Sequence, residues 1–225
     1  MAYDWVVFDA DETLFRFDAK RGLTQLLQSY DVDFTETHFK RFKEVNAPLW
    51  EAFQRGEISA ADIKARRFVD WEDRLGVSST ELNRQFMAQM GTISSTLDGA
   101  GSMLTALDDK VRMGIITNGF VELQQERLAT HQFEQFFQFV VVSEALGVAK
   151  PHPEIFQHTH RQHISEEVPT SRILMVGDNP YSDILGGQRA GWHTCWLNEH
   201  QATCPEEVKP NHTIRHLSEL VELVV

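Results

Sequence analysis

Short apolar runs and helix-like stretches alternate along this chain and divide it into three parts. The first part holds the run Trp5-Val6-Val7-Phe8, which is too short for a helix and typical of a strand buried on both faces. After residue 97, similar runs return between helix-like stretches, which indicates right-handed crossovers and a parallel sheet. The later runs cover residues 113–117, 139–142, 173–177 and 193–197.

Residues 19–91 form the second part, which has the three- to four-residue spacing of helices and no strand-like run. We expect its first apolar stripe to be broken at Pro48, because proline removes a helical hydrogen bond. Ser59, with an acidic residue three positions later, predicts a second helix that runs to Gly76, and a third should end at Gly91. The first stripe consists of Phe39, Phe42, Val45, Leu49 and Phe53.

Together these patterns predict an α/β fold, a doubly wound parallel-sheet core with an inserted all-helical cap. The core should comprise residues 1–15 and 93–225, and the cap residues 16–92, inserted after the first strand. In an open parallel sheet, ligands bind beyond the carboxyl ends of the strands, so any site is expected at that edge.

The charge balance limits the partners of this protein. Lysine and arginine number 21 against 33 acidic residues, which gives a formal net charge of −12. Because such a surface repels a nucleic-acid backbone, we expect no nucleic-acid polymer as partner. A small phosphorylated metabolite remains compatible, since a local cluster of metal and lysine can overcome a distributed negative field.

Neither a membrane segment nor a targeting leader is indicated. The chain has no run of about 18 apolar residues and no basic and apolar start. We therefore expect a cytoplasmic protein with no membrane partner, as a monomer or small homo-oligomer. Cys195 falls in a predicted strand and Cys204 in a loop, a pair that indicates neither a disulfide framework nor a zinc site.

Polar and charged residues collect where the predicted strands end. Asp9 and Asp11 follow the first strand and should point the same way, because side chains alternate along extended chain. Since the carboxyl ends of parallel strands meet at one edge, we expect one shared site there. Its other members are Thr117 and Asn118 after the second strand, Lys150 after the third, and Asp178 and Asp183 after the fourth.

These residue types suit a phosphoryl group beside a metal ion. Carboxylates from two strands can hold a hard divalent cation such as magnesium through oxygen. The hydroxyl of Thr117, the backbone amides around Asn118 and the ammonium of Lys150 supply what phosphoryl oxygens need. Each residue alone is common in turns or on surfaces, so it is their combination that indicates catalysis.

With these residues, the chain resembles the haloacid dehalogenase superfamily of phosphohydrolases. The motifs of that family occur in order: Asp-x-Asp-x-Thr at residues 9–13, Thr117 after an apolar strand, Lys150, and Gly-Asp followed by a second Asp at 177–183. The helical block resembles the helical cap of the family. Glycine is common in the family where this chain has Glu12, which indicates a different turn but leaves catalysis in place.

The resemblance implies a role for each motif residue. Asp9 would be the nucleophile that becomes an aspartyl phosphate, and Asp11 would act first as acid and then as base. Thr117 and Lys150 would bind the transferring phosphoryl group, beside the amides of Asn118. The ligands of Mg²⁺, or alternatively Mn²⁺, would be Asp9, Asp11 through its backbone carbonyl, and Asp178, with Asp183 in support.

Within the superfamily, residues 9–15 and 114–120 are similar to bacterial pyrimidine nucleotidases, which remove the 5′-phosphate from dUMP and dTMP. The resemblance implies a nucleoside monophosphate as substrate. Substrate choice should lie in the cap, where Asn46 and Trp50 flank the expected helix break and could present an amide and an indole to a base. The neighbouring Arg66-Arg67 pair is expected on a water-facing helix surface.

Other functions share parts of this pattern. A phosphatase of another metabolite, such as a sugar phosphate, or a phosphomutase would keep the same residues, whereas a dehalogenase needs neither a metal nor Asp11. A signalling receiver domain would be shorter and would carry its acceptor aspartate near residue 50, where this chain is helical. A catalytically dead scaffold should have lost one of the motif residues, and none is missing.

Overall fold

The computed structural model describes residues 3–225, so residues 1 and 2 of the predicted core segment 1–15 lie outside the described range. Its centre is a six-stranded sheet of order β3-β2-β1-β4-β5-β6 in which every pairing is parallel. The predicted α/β fold is confirmed. The strands are β1 Trp5–Phe8, β2 Arg112–Thr117, β3 Phe139–Val142, β4 Ile173–Gly177, β5 His193–Leu197 and β6 His212–Ile214.

The helices fall into two groups, a first group that forms its own cluster and a second group that packs on both faces of the sheet. In the first group are α1 Ala19–Gln28, α2 Glu36–Gln54, α3 Ala60–Arg66, α4 Val69–Leu75 and α5 Ser79–Thr92. Around the sheet are α6 Ala100–Leu107, α7 Val121–His131, α8 Ser143–Leu146, α9 Pro153–Thr159, α10 Gly186–Arg189 and α11 Ser218–Val224. A π-helical turn, Pro180–Leu185, leads into α10.

Strand β1 lies in the middle of the sheet, and all of its residues are buried. Val6 and Phe8 pack with α6 and α11 on one face, whereas Trp5 and Val7 pack with α9 on the other. This two-sided burial explains the unbroken apolar run, since a strand with one wet face would alternate. Strand β6 was not predicted from the sequence, because three residues with only one buried position give no strand signal.

The helices α1–α5 build their own apolar cluster above the sheet. Phe120, Leu123 and Ala149 enter this cluster from the sheet side, and Lys64 of α3 pairs with Glu144 of α8 at 2.5 Å. The all-helical character of the inserted block is confirmed. The exact boundaries, 16–92 for the cap and 1–15 with 93–225 for the core, stay a prediction.

The expected break at Pro48 is wrong, because α2 runs without interruption from Glu36 to Gln54. A proline leaves the carbonyl four residues earlier, that of Glu44, without its helical donor. Pro48 and Glu44 are both exposed, so water can bind that carbonyl and the helix continues.

The single helix predicted from Ser59 to Gly76 is also wrong, because the chain forms α3 and α4 with a break between them. The backbone N–H of Phe68 donates to the hydroxyl of Ser79 at 3.2 Å instead of to a helical carbonyl. The Phe68 ring is fully buried against Phe42 and Phe86. Packing of this ring therefore outweighs the local preference for one continuous helix.

Within residues 3–225, no helix is both long enough and apolar enough to cross a membrane. Cys195 is buried in β5 and Cys204 is exposed, and both are free thiols.

Candidate active site at the carboxyl edge of the sheet

A cavity of about 330 Å³ lies between the carboxyl edge of the sheet and the cap. Sheet residues, among them Asp9, Thr117 and Asp178, line one side, and cap residues, among them Trp50, line the other. The volume falls in the range of roughly 300–1,000 Å³ that is usual for small-molecule sites. Of the predicted site residues, Asp9, Asp11, Asn46, Trp50, Thr117, Asn118, Lys150 and Asp178 line this cavity.

The parallel sheet brings these residues together because β2, β1 and β4 are neighbours. Asp9 directly follows β1, and its N–H still donates to the carbonyl of Val176 at 2.8 Å, so strand pairing fixes its backbone. The hydroxyl of Thr13 accepts the backbone N–H of Asp178 at 3.1 Å. These bonds hold the ends of β1 and β4 against each other.

Lys150 is fully buried at the centre of the site. Its ammonium group donates to Asp9 Oδ1 at 2.7 Å and to the Ile116 carbonyl at 2.6 Å, and it pairs with Asp183 Oδ1 at 2.8 Å. Burial alone would lower the pKa of Lys150, but the charges of Asp183 and Asp9 outweigh it, and the pKa is raised. Lys150 is therefore a permanent cation beside Asp9.

Three carboxylates cluster beside this ammonium group, and two of them, those of Asp9 and Asp183, contact it. Oxygen atoms of Asp9, Asp178 and Asp183 lie within 4.8 Å of one another. Burial raises the pKa of Asp9 to about 7, against the opposing effect of Lys150. Burial, and then the charge of Asp183, raises the pKa of Asp178 to about 8. A hard divalent cation fits this set, since it prefers oxygen ligands and would relieve the repulsion.

A pH-dependent stabilisation by Mg²⁺ follows from these pKa values. The folded-state pKa values of Asp9 and Asp178 both lie above the ordinary value of 3.8, so in the metal-free folded protein these groups hold protons that they release in the unfolded chain. The two groups therefore lower the stability of the folded protein as pH rises to about 8. Added Mg²⁺ should raise the melting temperature by roughly a few degrees at pH 8.5 and much less at pH 5.5. Thermal denaturation with Mg²⁺ or EDTA measures this, and an equal shift at both pH values would contradict it.

The carboxylate of Asp11 lies outside that group of three and pairs with Arg127 of α7. Arg127 is fully buried, with its guanidinium 5.6 Å from the ring centre of Phe15 and 5.3 Å from that of Phe17. The contact fixes the Asp11 side chain at the mouth of the cavity, where it is 32% exposed. Sequence reasoning missed Arg127, because it sits within an ordinary amphipathic helix far from every motif.

Asn118 and Asp183 organise the backbone around the site. The amide of Asn118 accepts from the N–H of Lys150 and donates to its carbonyl, both at 2.8 Å. Asp183 accepts from the N–H of Asn179 at 3.0 Å and from the hydroxyl of Ser182 at 3.1 Å. The side chain of Asn118 is thus occupied, which leaves its backbone N–H as the group that could meet a phosphate.

Glu12, the position where the family commonly has glycine, has a φ of 54°. This left-handed conformation costs little for glycine and more for other residues. Here the Glu12 carboxylate accepts the backbone N–H of Phe17 at 2.6 Å, which stabilises the turn. The side chain therefore replaces the conformational freedom of glycine with a hydrogen bond.

On the cap side, α2 presents Asn46 and Trp50 to the cavity from an unbroken helix. The Trp50 indole lies 5.2 Å from the ring of Phe120, and Asn46 Oδ1 is buried with no partner among residues 3–225.

The prediction that Arg67 faces water is wrong. Arg67 is 4% exposed and lines the cavity, whereas Arg66 is exposed as predicted. Burial lowers the pKa of Arg67 to about 9, so it still carries a proton at neutral pH. Arg67 lies one helical turn after the buried Ile63, and its N–H donates to the Ile63 carbonyl at 3.0 Å, so it falls on the inward stripe of α3 despite its charge.

Comparisons with known proteins agree with the motifs. The family profile of haloacid dehalogenase-like hydrolases matches residues 3–191. The chain is 44% identical over 224 residues to the pyrimidine 5′-nucleotidase YjjG of Escherichia coli (strain K12), which covers 100% of this chain and 99% of that protein. It is 29% identical over 232 residues to the pyrimidine 5′-nucleotidase PynA of Streptococcus pneumoniae, and this match covers 99% of this chain and 95% of that protein.

Solved structures show the same architecture. The magnesium-bound HAD-hydrolase YfnB of Bacillus subtilis superposes with a TM-score of 0.85 at 28% identity, covering 100% of this chain and 99% of that one. A 2-haloacid dehalogenase of Pseudomonas syringae superposes with a TM-score of 0.73 at 23% identity, covering 98% of this chain and 97% of that one. This second similarity shows a shared fold alone.

Proposed function

This chain belongs to the haloacid dehalogenase-like hydrolases, and from that premise we propose that it removes the 5′-phosphate from pyrimidine nucleoside monophosphates such as dUMP and dTMP. The full-length similarity to two pyrimidine 5′-nucleotidases supports this substrate class. The reaction would be phosphomonoester hydrolysis through an aspartyl phosphate.

The observation that carries the proposal is the position of Asp9. Its carboxylate lies at the tip of the central strand, on a side chain that is 11% exposed, in contact with the buried ammonium of Lys150 and lining the cavity. A carboxylate fixed in this way, beside a cation and away from bulk water, is placed to attack an electrophile in the cavity.

In the first step, a carboxylate oxygen of Asp9 bonds to phosphorus while the bond between phosphorus and the nucleoside 5′-oxygen breaks. Asp11 in its acid form gives its proton to that oxygen, so the nucleoside leaves as a neutral alcohol. In the second step, Asp11 takes a proton from water as the water oxygen bonds to phosphorus. Inorganic phosphate then leaves, and the Asp9 carboxylate is restored.

The residues suited to hold Mg²⁺, or alternatively Mn²⁺, are Asp9 and Asp178, with the backbone carbonyl of Asp11 and support from Asp183. The bound ion would neutralise charge on the phosphoryl oxygens. Thr117, the backbone N–H of Asn118 and the ammonium of Lys150 would bind those oxygens. Lys150 would do so by exchanging one of its present acceptors.

The cap side of the cavity supports a base-bearing substrate. Trp50, Phe42 and Phe86 from the cap and Phe120 from the sheet side contribute aromatic surface, and Asn46 contributes an amide. Flat aromatic walls suit a flat ring, because stacked or edge-on aromatic contacts add to apolar burial. We further propose that the enzyme works in the cytoplasm on a small molecule, with no nucleic-acid polymer or membrane partner, as a monomer or small homo-oligomer.

A phosphate-release screen over nucleoside monophosphates and sugar phosphates tests the proposal. With Mg²⁺, dUMP and dTMP should give the highest kcat/KM, and EDTA should reduce turnover to background. Dominance by sugar phosphates would overturn the nucleotide assignment while leaving the phosphatase chemistry in place. Turnover that persists after complete chelation would contradict the metal requirement.

A further inference from the structure

Arg67, at the cap side of the cavity, is a buried cation that has no acidic partner in the described part of the chain. Its Nε and Nη2 atoms are buried and have no hydrogen-bond partner among residues 3–225. Buried guanidinium groups are normally paired, because leaving a charged donor unsatisfied costs more than leaving a neutral one. In a residue that lines a cavity, such unused donors point to an acceptor supplied by a ligand.

Aromatic rings already surround this guanidinium. Its central carbon lies 5.1 Å from the ring centres of Phe86 and Phe120 and 5.5 Å from that of Phe68. The negative faces of these rings offset part of the positive charge but cannot accept the in-plane N–H bonds. The rings therefore compensate part of the charge of Arg67 but leave its Nε and Nη2 donors unused.

We propose that Arg67 determines substrate specificity by donating hydrogen bonds to a ring carbonyl oxygen of the pyrimidine base, an inference that rests on the proposed function. Every natural pyrimidine base carries such a carbonyl. Asn46 also lines the cavity from the cap, and its Oδ1 is buried with no partner within residues 3–225, so it complements Arg67 as an acceptor for an N–H group of the base.

A neutral carbonyl suits this position better than a second anionic group. The cavity is also lined by Asp9, Asp11, Glu12 and Asp178, so an additional anion would meet a net acidic lining. The aromatic side chains next to Arg67 favour a flat apolar ring whose edge carries the acceptor. Lys150 already serves the other end of the substrate, where the phosphate reacts.

The test compares Arg67→Met with its matched control Arg66→Met on substrates with and without a base. Arg66 is the adjacent exposed arginine, paired with Asp62 at 3.0 Å, so its loss removes the same charge from the surface. Arg67→Met should lower kcat/KM for dUMP by about ten- to hundredfold. Hydrolysis of deoxyribose 5-phosphate, which has no base, should change by less than about twofold, as should both activities of Arg66→Met.

A wild-type comparison keeps the test decisive even where Arg67→Met folds poorly. The wild-type enzyme should prefer dUMP by about tenfold or more over the same deoxyribose phosphate bearing a phenyl ring, which has no carbonyl. Arg67→Lys, which keeps the charge but not the planar donors, should lose most of that preference. An unchanged preference in the variants, or equal losses with dUMP and deoxyribose 5-phosphate, would overturn the role of Arg67.

These outcomes separate the two proposals. A wild-type enzyme that hydrolyses no nucleoside monophosphate would refute the proposed function itself. A wild-type enzyme that prefers dUMP over deoxyribose 5-phosphate, together with variants that lose both activities equally, would refute the role of Arg67 alone.

Discussion

Replacing Asp9 with asparagine is expected to lower kcat by about 10⁴-fold or more, to the background of the assay. The amide keeps the shape of the side chain but has no anionic oxygen to form the bond to phosphorus. Initial-rate measurement of phosphate release from dUMP with saturating Mg²⁺ tests this. Acid quenching should trap a phosphorylated peptide that contains residue 9 in the wild-type protein and none in Asp9→Asn.

The matched control is Asp98→Asn, which makes the same chemical change at an exposed position. It should retain wild-type activity. Because asparagine can deamidate back to aspartate, the mass of the residue 9 peptide must be checked in the same sample. Full turnover in verified Asp9→Asn protein would refute an aspartyl phosphate at this position and with it the proposed mechanism.

Replacing Lys150 with methionine is expected to damage both activity and stability. The change removes the buried ammonium that contacts Asp9, Asp183 and the Ile116 carbonyl, and it leaves two buried carboxylates without that partner. Breaking a buried ion pair from one side costs about 3–5 kcal/mol of unfolding free energy. Turnover of dUMP should fall by about 10³-fold, because a cation aimed at the transferring group is lost.

The stability loss in Lys150→Met should depend on pH. Burial raises the pKa of Asp9 and Lys150 opposes that rise, so the variant should have a still higher pKa at Asp9. The folded variant then binds protons that the unfolded chain releases, and it should be destabilised more at pH 8 than at pH 5.5. Urea denaturation of metal-free protein at both pH values measures this.

Lys110→Met is the control for Lys150→Met, since Lys110 is exposed on the opposite edge of the sheet, next to the start of β2. It should leave unfolding free energy and turnover close to wild type. Wild-type stability in Lys150→Met, or the same loss at pH 5.5 and pH 8, would contradict the view that Lys150 compensates buried negative charge.

Much of the fold could be predicted because most of its strands appear in the sequence as continuous apolar runs. β1 and β4 are buried on both faces, so their apolar runs are continuous and visible in the sequence. β6 gave no such signal, and its three residues are ordered by pairing with β5. Pro48 predicted a break that does not occur, because solvent exposure of the freed carbonyl is not encoded in the residue type.

The candidate site was likewise predicted only in part from the sequence. The sequence placed Asp9, Thr117 and Asp178 at strand ends, and the parallel sheet brings them to one cavity. Their catalytic roles stay predictions until the variants are measured. Arg67 and Arg127 were not singled out as site residues from the sequence, because neither belongs to a motif and arginines on helices are usually exposed.

The sequence by itself determined the alternation of the first five strands with helices, the edge at which the site lies, and the acidic residues and the lysine that meet there. These depend on local periodicity and on the rule that parallel strands end at one edge. Only the tertiary structure decided which arginines are buried and which acids share a cation. Burial and pairing depend on side chains far apart in the chain, as in the contact of Arg127 with Asp11. The burial of the Arg67 charge likewise depends on three aromatic rings around its guanidinium, two of which, those of Phe86 and Phe120, come from distant parts of the chain.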